Sequence, residues 1–163
     1  MRFSERRAQV IAGVRFKRIL ISLLMVFFAI QFIQPARNES GQAVGSELAN
    51  AYAISDTIDV LLKQSCYDCH SNHTAYPWYS YIQPIGWLIA KDIQDGKAKL
   101  NFSELGALSH RRQLTKLQMI ENQIKDGTMP LQRYVLLHKD ACLTGENKLL
   151  ILEWISKIKD TSP

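Results

Sequence analysis

The chain is predicted to be all-α. Beyond residue 45, apolar side chains recur at three- and four-residue intervals in successive stretches, and no stretch shows the alternation of a half-buried strand. No internal repeat is present, and 163 residues, less an N-terminal targeting region, have room for one hydrophobic core.

The first helical signal is of a different kind from the rest. Residues 1–18 carry six basic side chains against one acidic, Glu5, and residues 19–33 carry no charge. A basic segment ahead of an uncharged run is the pattern of a segment whose flank stays cytoplasmic and whose downstream chain is exported. Fifteen residues fall short of the roughly 20 that span a bilayer comfortably, but Arg15, Lys17 and Arg18 can snorkel and lengthen the span. The organisation expected is therefore a cytoplasmic basic segment over 1–18, a transmembrane signal anchor over 19–34, a polar linker over 35–45 and a folded domain over 46–163. Ala43-Val44-Gly45 is the alternative, a cleavage site that would release the domain. The formal charge of +5 resides in this basic start: from residue 38 onward thirteen Lys and Arg face fourteen Asp and Glu. The folded part is not basic, which excludes a nucleic-acid partner and leaves the cytoplasmic membrane as the partner of the charge.

Within the domain, Ile54, Ile58, Leu61 and Leu62 follow Leu48 and Ala51 along a helix expected over about 46–65. Pro84 can open a second through Ile85, Leu88, Ile89 and Ile93, with Gly96 as its stop. A third is expected from His110 to Asp126, with Leu114, Leu117, Ile120 and Ile124 inward and Gly127 closing it. Thr144, with Glu146 in the first turn, opens a fourth whose apolar face is Ile151, Trp154, Ile155 and Ile158.

The chemistry lies at the end of the first of these helices. Residues 66–70 read Cys66-Tyr67-Asp68-Cys69-His70, a C-x-x-C-H pentad. Two thiols three positions apart can each add across one vinyl group of a haem, and the histidine after the second thiol is then held beside the iron as its proximal ligand. A zinc site would want a second pair of ligands at similar spacing, and none exists. Covalent attachment of haem c outside the cytoplasmic membrane agrees with the export pattern. Cys142, the third and last cysteine, is expected as a small buried apolar residue.

Five aromatic rings crowd residues 76–87: Tyr76, Trp78, Tyr79, Tyr81 and Trp87. So much ring surface is costly to leave in water, and it is expected to wall one side of the haem. His73 follows His70 too closely to reach the opposite face of the macrocycle. Two candidates for the distal iron ligand remain, Met129 in Gly127-Thr128-Met129-Pro130 and His138 in Leu136-Leu137-His138. His110, at a helix start, is read as facing solvent.

The spaced motifs Cys66-Tyr67-Asp68-Cys69-His70-Ser71-Asn72-His73, Tyr76-Pro77-Trp78-Tyr79, Pro84-Ile85-Gly86-Trp87, Leu100-Asn101-Phe102-Ser103, Gly127-Thr128-Met129-Pro130, Tyr134, Leu137-His138 and Leu143-Thr144 resemble the bacterial haem-binding domain family of small cytochrome c-like proteins. The resemblance covers roughly residues 46–160, and Gln34-Pro35 with Arg37-Asn38 extends it towards the anchor. It implies a cytochrome c-like helical fold, one covalent haem on Cys66 and Cys69, His70 as proximal ligand and Met129 as distal ligand, with His138 as the alternative.

Two function classes follow. With both axial positions filled, the iron changes oxidation state without binding substrate, so the chain is an electron carrier rather than an enzyme, held on the periplasmic side of the bacterial inner membrane by a single pass. The alternative is a haem-based sensor or peroxidase-like protein with an exchangeable sixth ligand. Redox partner proteins are not identifiable from the sequence.

Overall fold

The computed structural model describes residues 2–41 and 52–161. Among them every regular element is a helix and none is a strand, in agreement with the all-α expectation. The chain divides into two compact units, one comprising Met1–Ala36 and Tyr76–Ala90, the other Arg37–Ala75 and Lys91–Pro163.

The first unit is built on α1, Arg2–Ile30. The helix takes in the basic segment as well as most of the uncharged run, then ends in a turn at Gln31 and Phe32. Among the described residues no helix is long and apolar enough to cross a membrane. The reason is local: the expected span over 19–34 leaves the helix at Ile30, while Arg15, Lys17 and Arg18 interrupt the apolar side chains before it. Tyr76–Ala90 completes the unit with a 3-10 turn, Trp78–Tyr81, and the start of α4, Ile85–Lys99.

A glutamine clasp holds this unit together. The Gln83 N–H donates to Gln31 Oε1 (2.8 Å), and Gln31 Nε2 donates back to the Gln83 carbonyl (3.2 Å). Gln83 Nε2 donates to Gln34 Oε1 (2.9 Å), and Gln83 Oε1 accepts from the Trp87 N–H (3.0 Å). Gln83 is fully buried, and these bonds satisfy the amide that burial would otherwise strand. Gly86 follows because a Cβ there would run into the Ser80 carbonyl and the Gln83 amide.

The second unit carries the main core. Its helices are α2 (Asp56–Ser65), the single turn α3 (Tyr67–His70), the end of α4, α5 (Phe102–Leu105), α6 (His110–Lys125), α7 (Gln132–Leu137) and α8 (Gly145–Thr161). Within the described residues the expected first helix is α2, opened at Asp56 by Ser55, whose side chain accepts from the Ile58 N–H. Leu48, Ala51 and the alternative cleavage site at 43–45 lie outside the described residues. α6 ends as expected at Asp126, with Gly127 at φ 66°. Thr144 caps α8, its Oγ1 accepting from the Asn147 N–H (3.1 Å). Ile58, Leu61 and Leu62 of α2 meet Leu117, Ile120 and Ile124 of α6 and Ile151, Trp154 and Ile155 of α8 in one buried cluster. Each such side chain contributes about 1.5–3 kcal/mol by leaving water.

Gly96 does not stop α4, which continues three residues further. Its glycine serves packing: a Cβ at residue 96 would lie 2.6 Å from the Cys69 carbonyl oxygen. Nor is the start of the polar linker free. The Gly41 N–H donates to the Asn72 carbonyl and the Thr74 N–H to the Asn38 carbonyl, while Asn38 Nδ2 reaches Ser71 O and Thr74 Oγ1.

Candidate haem site

The pentad occupies the junction of α2 and α3. The Cys66 N–H closes α2 on Leu62 O, and the His70 N–H bonds back to Cys66 O, so Cys66, Cys69 and His70 share one tight turn. The two intervening residues fasten that turn. Tyr67 is buried and packs edge-on against Phe102, ring centres 5.3 Å apart. Asp68 accepts from Tyr134 Oη (2.7 Å) and from the Ala75 N–H (3.0 Å). Neither role is legible in the sequence, where the middle positions of C-x-x-C-H carry no signal of their own.

His70 Nδ1 lies 3.1 Å from the Leu100 carbonyl oxygen. A carbonyl can only accept, so Nδ1 carries the proton and Nε2 is left as the free base. Burial holds the imidazole below its ordinary pKa, partly offset by the carbonyls of Leu100 and Gly96. A neutral ring with an oriented Nε2 is the state that ligates a metal. The Leu100 carbonyl is itself held in place: Asn101 Nδ2 donates to Asn72 Oδ1 (2.9 Å), Asn101 Oδ1 caps α5 through the Ser103 N–H (3.1 Å), and Ser103 Oγ accepts from the Asn72 N–H (3.1 Å). The segments Ser71-Asn72 and Leu100-Ser103 are thus parts of one device that aims His70.

Two adjoining cavities of about 110 and 150 Å³ open beside the pentad. Both are lined by Cys66, His70, Lys99, Met129 and Pro130. The smaller is walled by Leu100, Phe102, Met119, Ile120, Ile124 and Leu143, the larger by Asp68, Cys69, Asp92, Asp95 and Arg133. An apolar chamber joined to a charged one, with an imidazole and a thioether on the wall of both, suits a flat macrocycle with an apolar body and a polar edge. Burial pushes the Cys66 and Cys69 thiols up to about 12, with the carboxylates of Asp68 and Asp92 beside Cys69 adding to its shift. As free side chains both are protonated at neutral pH.

Met129 is held from two sides. Behind it, the Thr128 N–H donates to Gln123 O on α6 (3.1 Å). Ahead of it, α7 ties back to the pentad region through Tyr134 to Asp68 and through Arg133 Nε to Asp92 Oδ2 (2.8 Å). The structure therefore brings Met129 to the same cavities as Cys66 and His70. His138 lies on neither wall: its ring stacks on Tyr134 at 4.1 Å and its Nδ1 faces the Tyr134 carbonyl at 3.1 Å. It buttresses the tyrosine that holds Asp68.

His73 and His110 are exposed. Among the described residues no three His, Cys, Asp or Glu side chains gather as a metal site. Cys142, expected to be buried, is exposed at the end of a 3-10 turn, and its neighbour Ala141 takes the buried place, its carbonyl accepting from Ser65 Oγ. The aromatic rings of 76–87 are not among the residues lining the two cavities; Trp87 Nε1 donates to the Ile33 carbonyl within the first unit, and Trp78 and Tyr81 are exposed.

No curated protein and no solved structure matches the chain. The family model described as a haem-binding domain matches residues 25–157, a range that takes in the last turns of α1, the pentad, Met129 and most of α8. The chain belongs to the haem-binding domain family.

Proposed function

We propose that this haem-binding protein is a membrane-tethered c-type cytochrome that carries electrons. The observation that carries the reading is that Cys66, His70 and Met129 line the same pair of cavities, with the His70 tautomer set by the Leu100 carbonyl. Cys66 and Cys69 are the attachment points, His70 Nε2 the proximal donor and Met129 Sδ the distal donor. A haem held there supplies one-electron exchange between ferric and ferrous iron. The protein's own contribution is to fill both axial places from restrained segments and to surround the site with apolar side chains. Lys99 and Arg133 lie where acidic ring substituents would meet cations.

The tether is α1. Its side chains from Phe16 to Phe28 are largely exposed, and the basic segment precedes them. In this reading residues 1–18 stay in the cytoplasm, 19–34 enter the inner membrane, and the haem domain lies on the periplasmic side.

The test is the purified full-length protein. Haem should remain with the chain through denaturing electrophoresis and acidic acetone, and Cys66→Ala with Cys69→Ala should abolish this. The reduced wild type should bind carbon monoxide poorly. Extraction of the haem by acidic acetone would sink the covalent reading, and rapid binding of carbon monoxide or peroxide would replace the carrier with a sensor or peroxidase-like protein.

A further inference from the structure

The first unit is notable for what its sequence lacks. Residues 19–36 and 76–90 contain no Asp, Glu, Lys or Arg, although they are at least 40 positions apart in the chain, and the nearest cations, Arg18, Arg37 and Lys91, stand at their borders. Helical Ile19–Ile30 alone reaches only about 18 Å at 1.5 Å per residue, well short of the roughly 30 Å of hydrocarbon in a bilayer. The remainder of the unit supplies uncharged surface at its far end. Trp78 is 75% exposed, Tyr81 56%, Leu88 49% and Ile85 40%, and Phe32 and Ile33 beside them are exposed as well.

These side chains are arranged to face one way in pairs. Trp78 and Tyr81 stand three apart on a 3-10 turn, where such positions eclipse, and Ile85 and Leu88 stand three apart on an α-helix. Trp87 Nε1 donates to the Ile33 carbonyl (2.8 Å), and Gln34 Nε2 to the Tyr81 carbonyl (3.1 Å), which brings the segment against the end of α1. Several of its polar groups are satisfied from within: the N–H groups of Ser80, Ile82 and Gly86 bond to Pro77, Tyr79 and Ile82, the Gln83 N–H bonds to Gln31, and the buried Gln83 side-chain amide bonds to Gln34 and Trp87. A surface without charges and with its backbone bonds closed can enter a low-dielectric medium at little cost. Tryptophan and tyrosine are the residues that settle at the headgroup level.

We propose that the Trp78–Leu88 segment is a second membrane-embedded element, clasped to the end of α1 and seated in the interfacial layer of the bilayer with Trp78, Tyr81, Ile85 and Leu88 towards lipid. This rests on the reading of α1 as a membrane tether. The occupant is a lipid bilayer, because the surface continues the uncharged surface of α1 without a charged residue between them in the unit.

The test uses the full-length haem-loaded protein in phosphatidylcholine vesicles, with Cys142→Ser removing the exposed thiol. A nitroxide label is placed at Tyr81→Cys, at Leu88→Cys, or at the control Glu146→Cys on α8; visible spectra confirm the haem in each. The expected result is that labels at 81 and 88 collide preferentially with molecular oxygen, which partitions into lipid, while the label at 146 collides preferentially with a water-soluble nickel chelate. If the protein stays in the vesicles but 81 and 88 behave like 146, this inference is overturned and the tether stands. Spin–spin broadening at 81 or 88 without oxygen access assigns the surface to a second copy and also overturns it. Failure of the protein to enter the vesicles removes the tether reading and this one with it.

Discussion

The carbonyl oxygen of Leu100 sits 3.1 Å from His70 Nδ1, thirty residues away in the chain, and so leaves Nε2 as the nitrogen of the imidazole with a free lone pair. That contact depends on Asn101, whose amide links Asn72 behind the pentad to the cap of α5. The orientation of His70 is thus set by a polar network of Asn72, Asn101 and Ser103 behind the Leu100 carbonyl.

Removing that network should alter the iron rather than the attachment. In Asn101→Ala the haem should remain on Cys66 and Cys69, while stability falls by about 0.5–2 kcal/mol through loss of the cap. A weaker Nδ1–H bond makes His70 a poorer electron donor, so the reduction potential should rise. Potentiometric titration beside a denaturant curve separates the two effects; an unchanged potential would show that Leu100 keeps its place without Asn101.

Met129 gives the sharpest spectroscopic outcome. The oxidised wild type should show the weak long-wavelength band of methionine–ferric iron coordination. Met129→Ala should lose it, bind carbon monoxide readily and have a lower potential, since a thioether favours ferrous iron. His138→Ala should keep the band. The opposite pattern, in which only the His138 variant opens the site, would make His138 the distal ligand.

Gly96 is predicted to tolerate no side chain. A Cβ 2.6 Å from the Cys69 carbonyl must push α4 or the pentad aside. Gly96→Ala should cost about 1–3 kcal/mol, the usual range for overpacking, and should lower the yield of haem-loaded protein. Gly13→Ala, where nothing lies within 4 Å, should not lower that yield and is the matched control.

What the sequence makes legible is chemistry carried by neighbouring residues. The pentad, the Thr144 cap and the Gly127 terminus are local patterns, and each is present. Gly96 has the look of a helix stop in the sequence, whereas its reason is a close approach to Cys69, 27 positions earlier. Gln83 carries no local signal at all, since its burial makes sense only once Gln31 and Gln34 are opposite it. The aromatic run suggested a wall for the haem because composition shows that rings must be covered, not by what. Tyr134 and His138 look like independent residues in the chain, whereas folding stacks one on the other and turns the tyrosine towards Asp68.

The clasp offers a test confined to the first unit. Gln83→Leu retains shape but leaves Gln34 Oε1 and the Trp87 N–H without their buried partner, at about 1–3 kcal/mol for the stranded groups. Protease should then cut between residues 76 and 84 faster than in the wild type, while the haem spectrum stays the same. A faster cut together with a changed spectrum would mean that the clasp also supports the iron site.

Acid should reveal a last constraint, between α6 and α8. Glu121 accepts from Lys125 on its own helix and from Lys159 Nζ (2.8 Å) on α8, and these bonds hold its carboxyl near 2, at about 2 against an ordinary 4.5. A carboxylate whose pKa is lower folded than unfolded stabilises the fold above the unfolded value, and that contribution is lost as pH falls through the folded one. Lys125 is 55% exposed and Lys159 31%, so solvent screening limits the contribution to about 0.2–1 kcal/mol. Denaturant unfolding of the wild type and Glu121→Gln should therefore differ by that amount at pH 7, converge between pH 4.5 and about 2, and differ less in high salt. A difference that persists at pH 2 would mean that Glu121 acts through packing rather than charge.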